Sequence, residues 1–287
     1  MSNKILDIKN LSFRYKNPNN DEWKTVFENI NFSINKGSVI GIAGESGCGK
    51  TTLAKAIVNY HILSGARKNK DYQIDGDVVF YKDSNPYSIF NKSYYKKFSP
   101  PPIQMVFQDP RTSLNMKMKL YDQLKESVKL NSNIPPHEVE NEIMRISENY
   151  KIEDQVKRNA TPENLSGGQR RRFGLAKIIS SNPEIIIADE PVSALDVSIQ
   201  AQVINLMMDL QEEFNLTILF IAHDLSVVKH ISEEVAVMYL GELVEFNTID
   251  SIFNNPQHSY TKSLLNAIPI PNPNGREDRK QKRKKNL

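Results

Sequence analysis

The chain alternates between short apolar stretches and longer amphipathic ones, which predicts strands alternating with helices. ILDIKNLSFRY (5–15) alternates apolar and polar residues and predicts a strand with one face in water. SVIGIAG (38–44), EIIIADE (184–190) and LTILFIAHD (216–224) each contain an apolar run, which is typical of strands buried on both faces. SIQAQVINLMMDLQEEF (198–214) lies between the last two and has helical spacing. This order of strand, helix and strand predicts a parallel sheet covered by helices.

The remaining pattern predicts a helical region and a mixed C-terminal part. KTTLAKAIVNYH (50–61) has helical spacing and follows the glycine that ends an apolar strand. From about residue 91 to 177 the sequence becomes amphipathic, with two predicted helices, LYDQLKESVKL and HEVENEIMRISENY, separated by the breaker NIPP. EVAVMYLGELVEF (234–246) predicts two short strands that meet at Gly241, and two short helices are expected after Asn247.

Composition and charge narrow the class of protein. Of the 287 residues 39% are hydrophobic, which supports one large core or two modest ones, and no apolar run is long enough to span a membrane. Residues 275–287 carry a net charge of +5, which leaves −2 for the rest of the chain. This distribution disfavours nucleic-acid binding by the folded part. The single cysteine, Cys48, and the absence of a secretion-signal pattern in the first ten residues predict a cytoplasmic protein.

The segment GESGCGKTT has the spacing of a phosphate-binding loop, with two glycines five residues apart followed by Lys and Thr. Glycines let backbone N–H groups turn inward, and the helix that begins near Lys50 directs its positive dipole end at the same point. We expect Lys50 to reach the β- and γ-phosphates and the Thr51 hydroxyl to ligate Mg²⁺. The alternative, a chance glycine turn, is disfavoured by the flanking strand and helix. The predicted nucleotide-binding residues are Gly44, Glu45, Ser46, Gly47, Cys48, Gly49, Lys50, Thr51 and Thr52.

An acidic pair, Asp189 and Glu190, follows four apolar residues at the end of a predicted buried strand. Ligands collect at the carboxyl ends of parallel strands, and an unpaired buried charge is costly. Asp189 is therefore predicted to hold Mg²⁺, through water, and Glu190 to orient or deprotonate an attacking water. A solvated acidic turn is the alternative interpretation, and the phosphate loop weakens it.

A second glycine-rich segment, NLSGGQRRR (164–172), precedes a predicted helix and is a second candidate anion site. It lies far from the first along the chain. The three motifs GESGCGKTT, LSGGQ and IIIADE, in this order, resemble those of the ATPase subunits of ABC transporters. The resemblance covers residues 5 to about 270. The candidate residues of the second segment are Ser166, Gly167, Gly168 and Gln169.

The resemblance assigns roles to four further residues. Tyr15 matches the aromatic residue that stacks on adenine, Gln108 the glutamine that touches Mg²⁺ and water, and His223 the histidine that contacts the γ-phosphate. SALD (193–196), which includes Asp196, matches the loop that crosses the dimer interface. Taken singly, Tyr15, Gln108 and His223 would be interpreted as a core aromatic, a surface amide and a strand-end histidine. In the family, LSGGQ serves the nucleotide held by the partner's phosphate loop, so two ATP molecules lie between two such domains.

Several stretches indicate which group of ABC transporter ATPases the chain resembles. PIQMVFQDPRTSLN, DEPVSALDVSIQAQVINLMMDLQ and NPQHSYTKSLLNAIPIPNP resemble the ATPases of bacterial oligopeptide and dipeptide importers, which have relatives that import nickel or metallophores. The ending is most similar to the second of the two paired ATPases. Ser259 and Met116 depart from the pattern, since proline is usual at both positions.

The resemblance also implies cofactors, partners and a location. The cofactors are ATP and Mg²⁺. The partners are a second ABC ATPase subunit, as a paralogue in a heterodimer, two transmembrane permease subunits and an external solute-binding protein, with no nucleic acid. The location is peripheral, at the cytoplasmic face of the cell membrane. The alternatives are an importer ATPase for nickel or a metal–metallophore complex, a soluble ABC ATPase outside transport, and a GTPase or kinase with a phosphate loop.

We therefore predict an α/β protein with a RecA-like P-loop NTPase core. Its sheet is mainly parallel, with an N-terminal antiparallel β portion and a helical ABC-specific subdomain. The predicted parts are the core with its β subdomain (1–90 and 178–247), the helical subdomain (91–177), a C-terminal extension (248–272) and a basic, disordered tail (273–287).

Overall fold

The computed structural model describes residues 3–17, 20–65, 68, 70–131, 134–193 and 196–267. The predicted tail, 273–287, the end of the predicted extension, 268–272, and residues Ala194 and Leu195 lie outside these ranges. The strands are β1 (Lys4–Lys16), β2 (Trp23–Asn35), β3 (Val39–Ala43), β4 (Tyr72–Lys82), β5 (Asn85–Ser88), β6 (Ile103–Val106), β7 (Ile185–Asp189), β8 (Thr217–Ile221), β9 (Glu234–Tyr239) and β10 (Glu242–Thr248).

The helices alternate with these strands and also form a separate run between β6 and β7. They are α1 (Lys50–Ile57), α2 (Tyr60–Leu63), α3 (Lys92–Lys97), α4 (Leu120–Leu130), α5 (Val139–Asn149), α6 (Glu153–Lys157), α7 (Gly167–Ile179), α8 (Val197–Phe214), α9 (Leu225–Ile231), α10 (Ile249–Asn254) and α11 (Ser259–Asn266). None of the described helices is long and apolar enough to cross a membrane.

The strands form one antiparallel and one mainly parallel sheet. The order is β2-β1-β4-β5 in the four-stranded sheet and β10-β9-β3-β8-β7-β6 in the six-stranded one. In the larger sheet β9, β3, β8, β7 and β6 are parallel, and β10 pairs antiparallel at the edge. These findings confirm the predicted α/β class, with a mainly parallel sheet and an N-terminal antiparallel portion.

A bulge in β1 keeps one face of this long strand buried. Leu6 and Ile8 are buried on one side, and the register shifts before Leu11 and Phe13, which are buried as well. Asn10 lies at the shift with a φ of 49°, in the left-handed region that Asn tolerates better than most residues. The extra residue restores the alternation, so four apolar side chains face the same core.

The central strands β7 and β8 are buried on both faces, as their continuous apolar sequences predict. In β7, Ile185 and Ile187 face the core shared with the antiparallel sheet and α1. Ile186 and Ala188 face the core formed with the helices on the other side. The sheet therefore separates two apolar layers. The acidic residues Asp189 and Glu190 lie at the carboxyl-terminal end of β7.

The helical region is built around α4, α5 and α7, whose fully buried side chains Leu124, Ile143 and Phe173 belong to one core. α4 coincides with the predicted LYDQLKESVKL helix, and α5 lies within the predicted HEVENEIMRISENY. The structure differs from the predicted helical subdomain at β6, which lies inside 91–177. β6 pairs in parallel with β7 as the edge strand of the larger sheet, so the helical run begins after it.

A matched pair of leucines tests where the stability resides. Leu219 in the central strand β8 is fully buried, whereas Leu130 in α4 is 53% exposed. Leu219→Ala should lower the free energy of unfolding by about 2–5 kcal/mol, because it removes buried methyl groups and leaves a cavity. Leu130→Ala should change it by about 0.5 kcal/mol or less. Urea unfolding followed by circular dichroism measures both, and equal losses would contradict this placement of the core.

Candidate nucleotide-binding site

Four neighbouring parallel strands end at one edge of the larger sheet, and a predicted site residue follows each of them. β3 leads into the phosphate loop (44–52), β8 into His223, β7 into Glu190 and β6 into Gln108. Since these strands are adjacent in the order β3-β8-β7-β6, the sheet brings together segments that are distant in the sequence. The carboxyl ends of such strands are where α/β proteins bind ligands.

Two glycines set the shape of the phosphate loop. Gly44 has a φ of 153°, and a Cβ there would lie 2.2 Å from the carbonyl oxygen of Met238. Gly49 has a φ of 105°, directly before α1, and a Cβ there would lie 3.2 Å from the carbonyl oxygen of Val26. Residues with a side chain rarely adopt these conformations. The spacing of glycines in the sequence therefore reflects a requirement of the backbone.

Lys50 lies inside the loop that precedes it. It is 5% exposed, and its ammonium group donates hydrogen bonds to the carbonyl oxygens of Gly44 at 2.7 Å and Glu45 at 2.8 Å. Lys50 is also the first residue of α1, where unpaired backbone N–H groups and the helix dipole favour an anion. The loop therefore concentrates positive charge at one point.

The loop is joined to the end of β7 by a hydrogen bond from the Thr51 hydroxyl to Asp189 Oδ1, 2.9 Å long. Asp189 is 2% exposed. Burial raises the pKa of its carboxyl group, the hydrogen bond from Thr51 lowers it in part, and the nearby charge of Glu190 raises it again. These two oxygens, a hydroxyl and a carboxylate, are the type of ligand that Mg²⁺ prefers.

The Glu190 carboxylate lies close to two other predicted catalytic side chains, those of Gln108 and His223. Its Oε2 accepts a hydrogen bond from Gln108 Nε2 at 3.0 Å and lies 4.0 Å from His223 Nδ1. Its backbone has a φ of 45° and its N–H donates to the Ile221 carbonyl oxygen at 3.0 Å. A non-glycine residue in this region of φ is uncommon and is held there by its surroundings. The turn after β7 therefore directs Glu190 towards Gln108 and His223.

The LSGGQ segment forms the N-terminus of α7 and is capped on itself. The Ser166 hydroxyl accepts a hydrogen bond from the Gln169 N–H at 3.2 Å, and the Gln169 side chain accepts one from the Ser166 N–H at 2.9 Å. Gly167 and Gly168 form the first turn. Within the described residues, no hydrogen bond or ion pair joins this segment to the phosphate loop. The predicted second anion site is thus a separate feature of the chain.

Among the described residues, no hydrogen bond or ion pair joins Tyr15 or Asp196 to the phosphate loop. Tyr15 lies near the end of β1, opposite Lys24 of β2 and Tyr72 of β4, and is 38% exposed. Asp196 is exposed and precedes α8, where its carbonyl oxygen accepts the first helical hydrogen bond from Gln200. Both residues are therefore available to a ligand or a second protein.

Arg171 is a residue that the sequence patterns did not single out. From α7 its guanidinium donates hydrogen bonds to the carbonyl oxygens of Glu190, Pro191 and Ser193, the last at 2.6 Å. Burial lowers its pKa, and Asp109 raises it in part. The sequence NLSGGQRRR has three consecutive arginines and does not indicate which of them reaches the turn after β7.

A tyrosine near the C-terminus was also missed. The Tyr260 hydroxyl, in α11, accepts a hydrogen bond of 2.9 Å from the backbone N–H of Glu45 in the phosphate loop. The two residues are 215 positions apart. No local pattern signals a contact at this separation.

The fold and the site define a P-loop nucleotide-binding protein, and comparison with known families agrees. The family "ABC transporter" matches residues 27–193. The family "Oligopeptide/dipeptide transporter, C-terminal region" matches residues 244–287, which include the predicted extension. The chain belongs to the ABC transporter family and is an ATPase of that family.

Similar proteins of known name indicate the kind of ABC transporter. The chain is 41% identical over 281 residues to the oligopeptide transport ATP-binding protein OppF of Bacillus subtilis (strain 168), covering 97% of this chain and 87% of the relative. It is 40% identical to the dipeptide transport ATP-binding protein DppF of Haemophilus influenzae, covering 88% of this chain and 73% of the relative. These names confirm the resemblance to oligopeptide and dipeptide transporter ATPases.

Solved structures share the fold. CbiO1 of Clostridium perfringens, part of the ABC transporter complex CbiONQ, aligns with a TM-score of 0.68 at 25% identity, over 88% of this chain and 92% of the other. A dimeric ATP-binding cassette, MJ0796, bound to ADP and Pi in a post-hydrolysis state, aligns with a TM-score of 0.67 at 24% identity, over 85% and 99%. The second likeness supports the fold alone.

The pKa of Asp189 predicts an unusual pH dependence of stability. Because this pKa is raised, the ionised carboxylate costs stability at neutral pH, and protonation at lower pH removes the cost. Asp189→Asn should therefore stabilise the nucleotide-free protein at pH 7. The advantage should shrink as the pH falls through the raised pKa. Urea unfolding of both proteins at several pH values measures this.

Asp7 provides a control with the opposite sign. Burial raises its pKa, but hydrogen bonds from Ser33 and Lys4 and the charges of Lys4 and Lys9 outweigh burial and lower the pKa below its usual value. The ionised form thus stabilises the fold above the pKa of the unfolded state. Asp7→Asn should destabilise the protein at pH 7 by about 1 kcal/mol, with the loss fading in acid. If both variants shift stability in the same direction, the assignment for Asp189 is wrong.

Proposed function

We propose that this chain is the ATP-binding and ATP-hydrolysing subunit of an ABC importer for oligopeptides or dipeptides. The assignment of ATP hydrolysis rests on one observation: the Glu190 carboxylate lies beside Gln108 and His223. Glu190 directly follows Asp189, whose carboxylate accepts a hydrogen bond from Thr51. The cargo class is supported by the match to the oligopeptide/dipeptide transporter C-terminal region and by relatives named for peptide transport.

Each part of the site has a distinct task in this proposal. The backbone N–H groups of the phosphate loop, together with Lys50 and Thr52, bind the ATP phosphates, and Tyr15 stacks on adenine. Glu190 orients and deprotonates the attacking water, while Gln108 and His223 position that water and the γ-phosphate around it. The 3.0 Å hydrogen bond between Gln108 and Glu190 supports this grouping.

The oxygens of Thr51 and Asp189 would hold Mg²⁺. They fit this ion because they are hard donors 2.9 Å apart, and because the Asp189 carboxylate is buried with a raised pKa that a cation would offset. Mg²⁺ usually keeps waters and takes its remaining ligands from substrate phosphates, so one carboxylate suffices. The resemblance to ABC transporter ATPases assigns Gln108 to the same ion. The bound ion would neutralise charge that develops on the phosphates.

The LSGGQ segment completes a site in another subunit. Ser166, Gly167, Gly168 and Gln169 lie at a helix N-terminus and, among the described residues, make no hydrogen bond or ion pair with this chain's own phosphate loop. Two ATPase subunits would therefore close around ATP, each supplying a phosphate loop to one nucleotide and an LSGGQ helix to the other. Asp196 would lie at the same interface. Hydrolysis removes the bridging γ-phosphate and releases the dimer.

The transporter context follows from the same family. We infer a second ABC ATPase as a paralogue, with this chain as the second of the pair, together with two permease subunits and an external solute-binding protein. The complex places the chain at the cytoplasmic face of the membrane as a peripheral subunit. The names of the relatives, which describe transport ATP-binding proteins, support this arrangement.

Glu190→Gln should retain ATP binding but slow hydrolysis by about 10²–10⁴-fold, because the amide cannot accept the proton of the attacking water. The bound γ-phosphate then persists, and a closed dimer should accumulate with ATP. Phosphate release and size-exclusion chromatography measure the two effects. Glu184→Gln is the matched control, since Glu184 precedes the same strand and bonds Lys82 at the opposite end. Rapid turnover by Glu190→Gln would remove Glu190 from this role.

Ser166→Arg should block dimer closure while ATP binding persists, because the larger side chain occupies the face that approaches the second nucleotide. ATPase activity should fall to the background level of the Lys50→Ala variant, which itself should lose binding or turnover. Ser166→Ala is the control for loss of the helix cap. It costs about 1 kcal/mol of stability but adds no bulk, so it shows how much of the effect comes from destabilising α7 and not from blocking dimer closure. Full ATPase activity in Ser166→Arg would contradict the assignment of this segment to a partner's nucleotide.

The cargo assignment is tested on the assembled transporter. The chain is co-purified with its permeases, reconstituted with the solute-binding protein, and assayed for ATPase stimulation by dipeptides, longer peptides and nickel complexes. Peptides should stimulate hydrolysis. Stimulation by nickel complexes without any response to peptides would contradict the proposed cargo and leave the ATPase assignment intact.

A further inference from the structure

The C-terminal part of the chain touches the phosphate loop through one side chain. Tyr260, in α11, is 8% exposed, and its hydroxyl accepts a 2.9 Å hydrogen bond from the Glu45 N–H. The segment that carries Tyr260 lies in the match to the oligopeptide/dipeptide transporter C-terminal region, outside the match to the ABC transporter family. The nucleotide-binding loop is therefore completed by residues beyond that family's match.

Two features hold Tyr260 in place. Its ring stacks on Tyr239 at the end of β9, with ring centroids 4.0 Å apart and an angle of 25° between the planes. Ahead of it, the Glu245 carboxylate of β10 accepts hydrogen bonds from the N–H groups of Gln257 at 2.8 Å and His258 at 3.1 Å. The stacking on Tyr239 and the hydrogen bonds to Glu245 therefore hold the Tyr260 hydroxyl in position beside the phosphate loop.

The contact fixes one peptide unit of the loop from both ends. The Gly44 carbonyl oxygen accepts a hydrogen bond from Lys50 Nζ at 2.7 Å, and the N–H of the same peptide, on Glu45, donates to Tyr260. Gly44 has a φ of 153°, a region that other residues rarely adopt. Glycine places few steric limits on rotation of the adjoining peptide. Tyr260 therefore keeps this peptide in one orientation when Lys50 is drawn towards another partner.

We propose that Tyr260 is a positioning residue for ATP, whose hydroxyl holds the Gly44–Glu45 peptide while the Lys50 ammonium leaves the loop carbonyls to contact the phosphates. This role rests on the proposed binding of ATP by the loop. It assigns to the C-terminal region a direct contribution to nucleotide affinity. Tyr260 acts through the backbone and does not touch the reacting atoms.

Tyr260→Phe tests the role, because it removes the hydroxyl and keeps the ring that stacks on Tyr239. The Kd for ATP should rise about three- to tenfold, the effect of one hydrogen bond, and KM should rise with it while kcat stays within about twofold. Amide hydrogen exchange at Glu45, measured by NMR in the absence of nucleotide, should accelerate. A purely structural role would lower thermal stability and leave the Kd and KM for ATP unchanged.

Tyr150→Phe is the matched control. Tyr150 is also buried, at the end of α5, and its hydroxyl has no hydrogen-bond partner among the described residues. It should leave ATP affinity and Glu45 exchange unchanged. If Tyr260→Phe also leaves both unchanged while the wild type binds ATP, the positioning role is wrong and the proposed function stands. If the wild type fails to bind ATP, the proposed function fails and this role fails with it.

Discussion

The site depends first on the hydrogen bond between the Thr51 hydroxyl and the Asp189 carboxylate. The bond joins the first turn of α1 to the end of β7, although the two partners are 138 positions apart in the sequence. A buried carboxylate is costly unless it is paired, and the Thr51 hydroxyl provides a hydrogen-bond partner within the phosphate loop itself. Because Glu190 directly follows Asp189, the same bond fixes the phosphate loop relative to the side chain that meets Gln108 and His223.

Two further contacts bring distant parts of the chain to this point. Arg171 ties the LSGGQ helix to the carbonyl oxygens after β7, and Tyr260 ties the C-terminal helix to the phosphate loop. These hydrogen bonds therefore link each helix to one of the loops that we propose bind and hydrolyse ATP, so a displacement of the helix would act on that loop. These contacts give a physical basis for coupling between the positions of the two helices and the ATP site, since a ligand shifts a conformational equilibrium only through contacts that differ between states.

Much of this architecture could be predicted from the sequence. The phosphate loop, the acidic pair after β7 and the helix α4 follow from local patterns, because glycine conformations, buried strands and helical spacing are encoded by neighbouring residues. β6 was missed, since its sequence IQMV is only four residues long and follows a proline-rich segment. Arg171 and Tyr260 were missed because their partners are set by tertiary contacts. The roles of the site residues and the domain boundaries stay predictions.

The central claim is that residues 44–52 bind the polyphosphate of a nucleotide. Calorimetric titration of the wild-type chain with ATP, ADP and AMP, all with Mg²⁺, tests it most directly because the three ligands share adenine and ribose. ATP and ADP should bind, and AMP should bind at least about a hundredfold more weakly, since it lacks phosphates that make charge-assisted hydrogen bonds with the loop. Equal affinity for AMP and ATP would contradict the account.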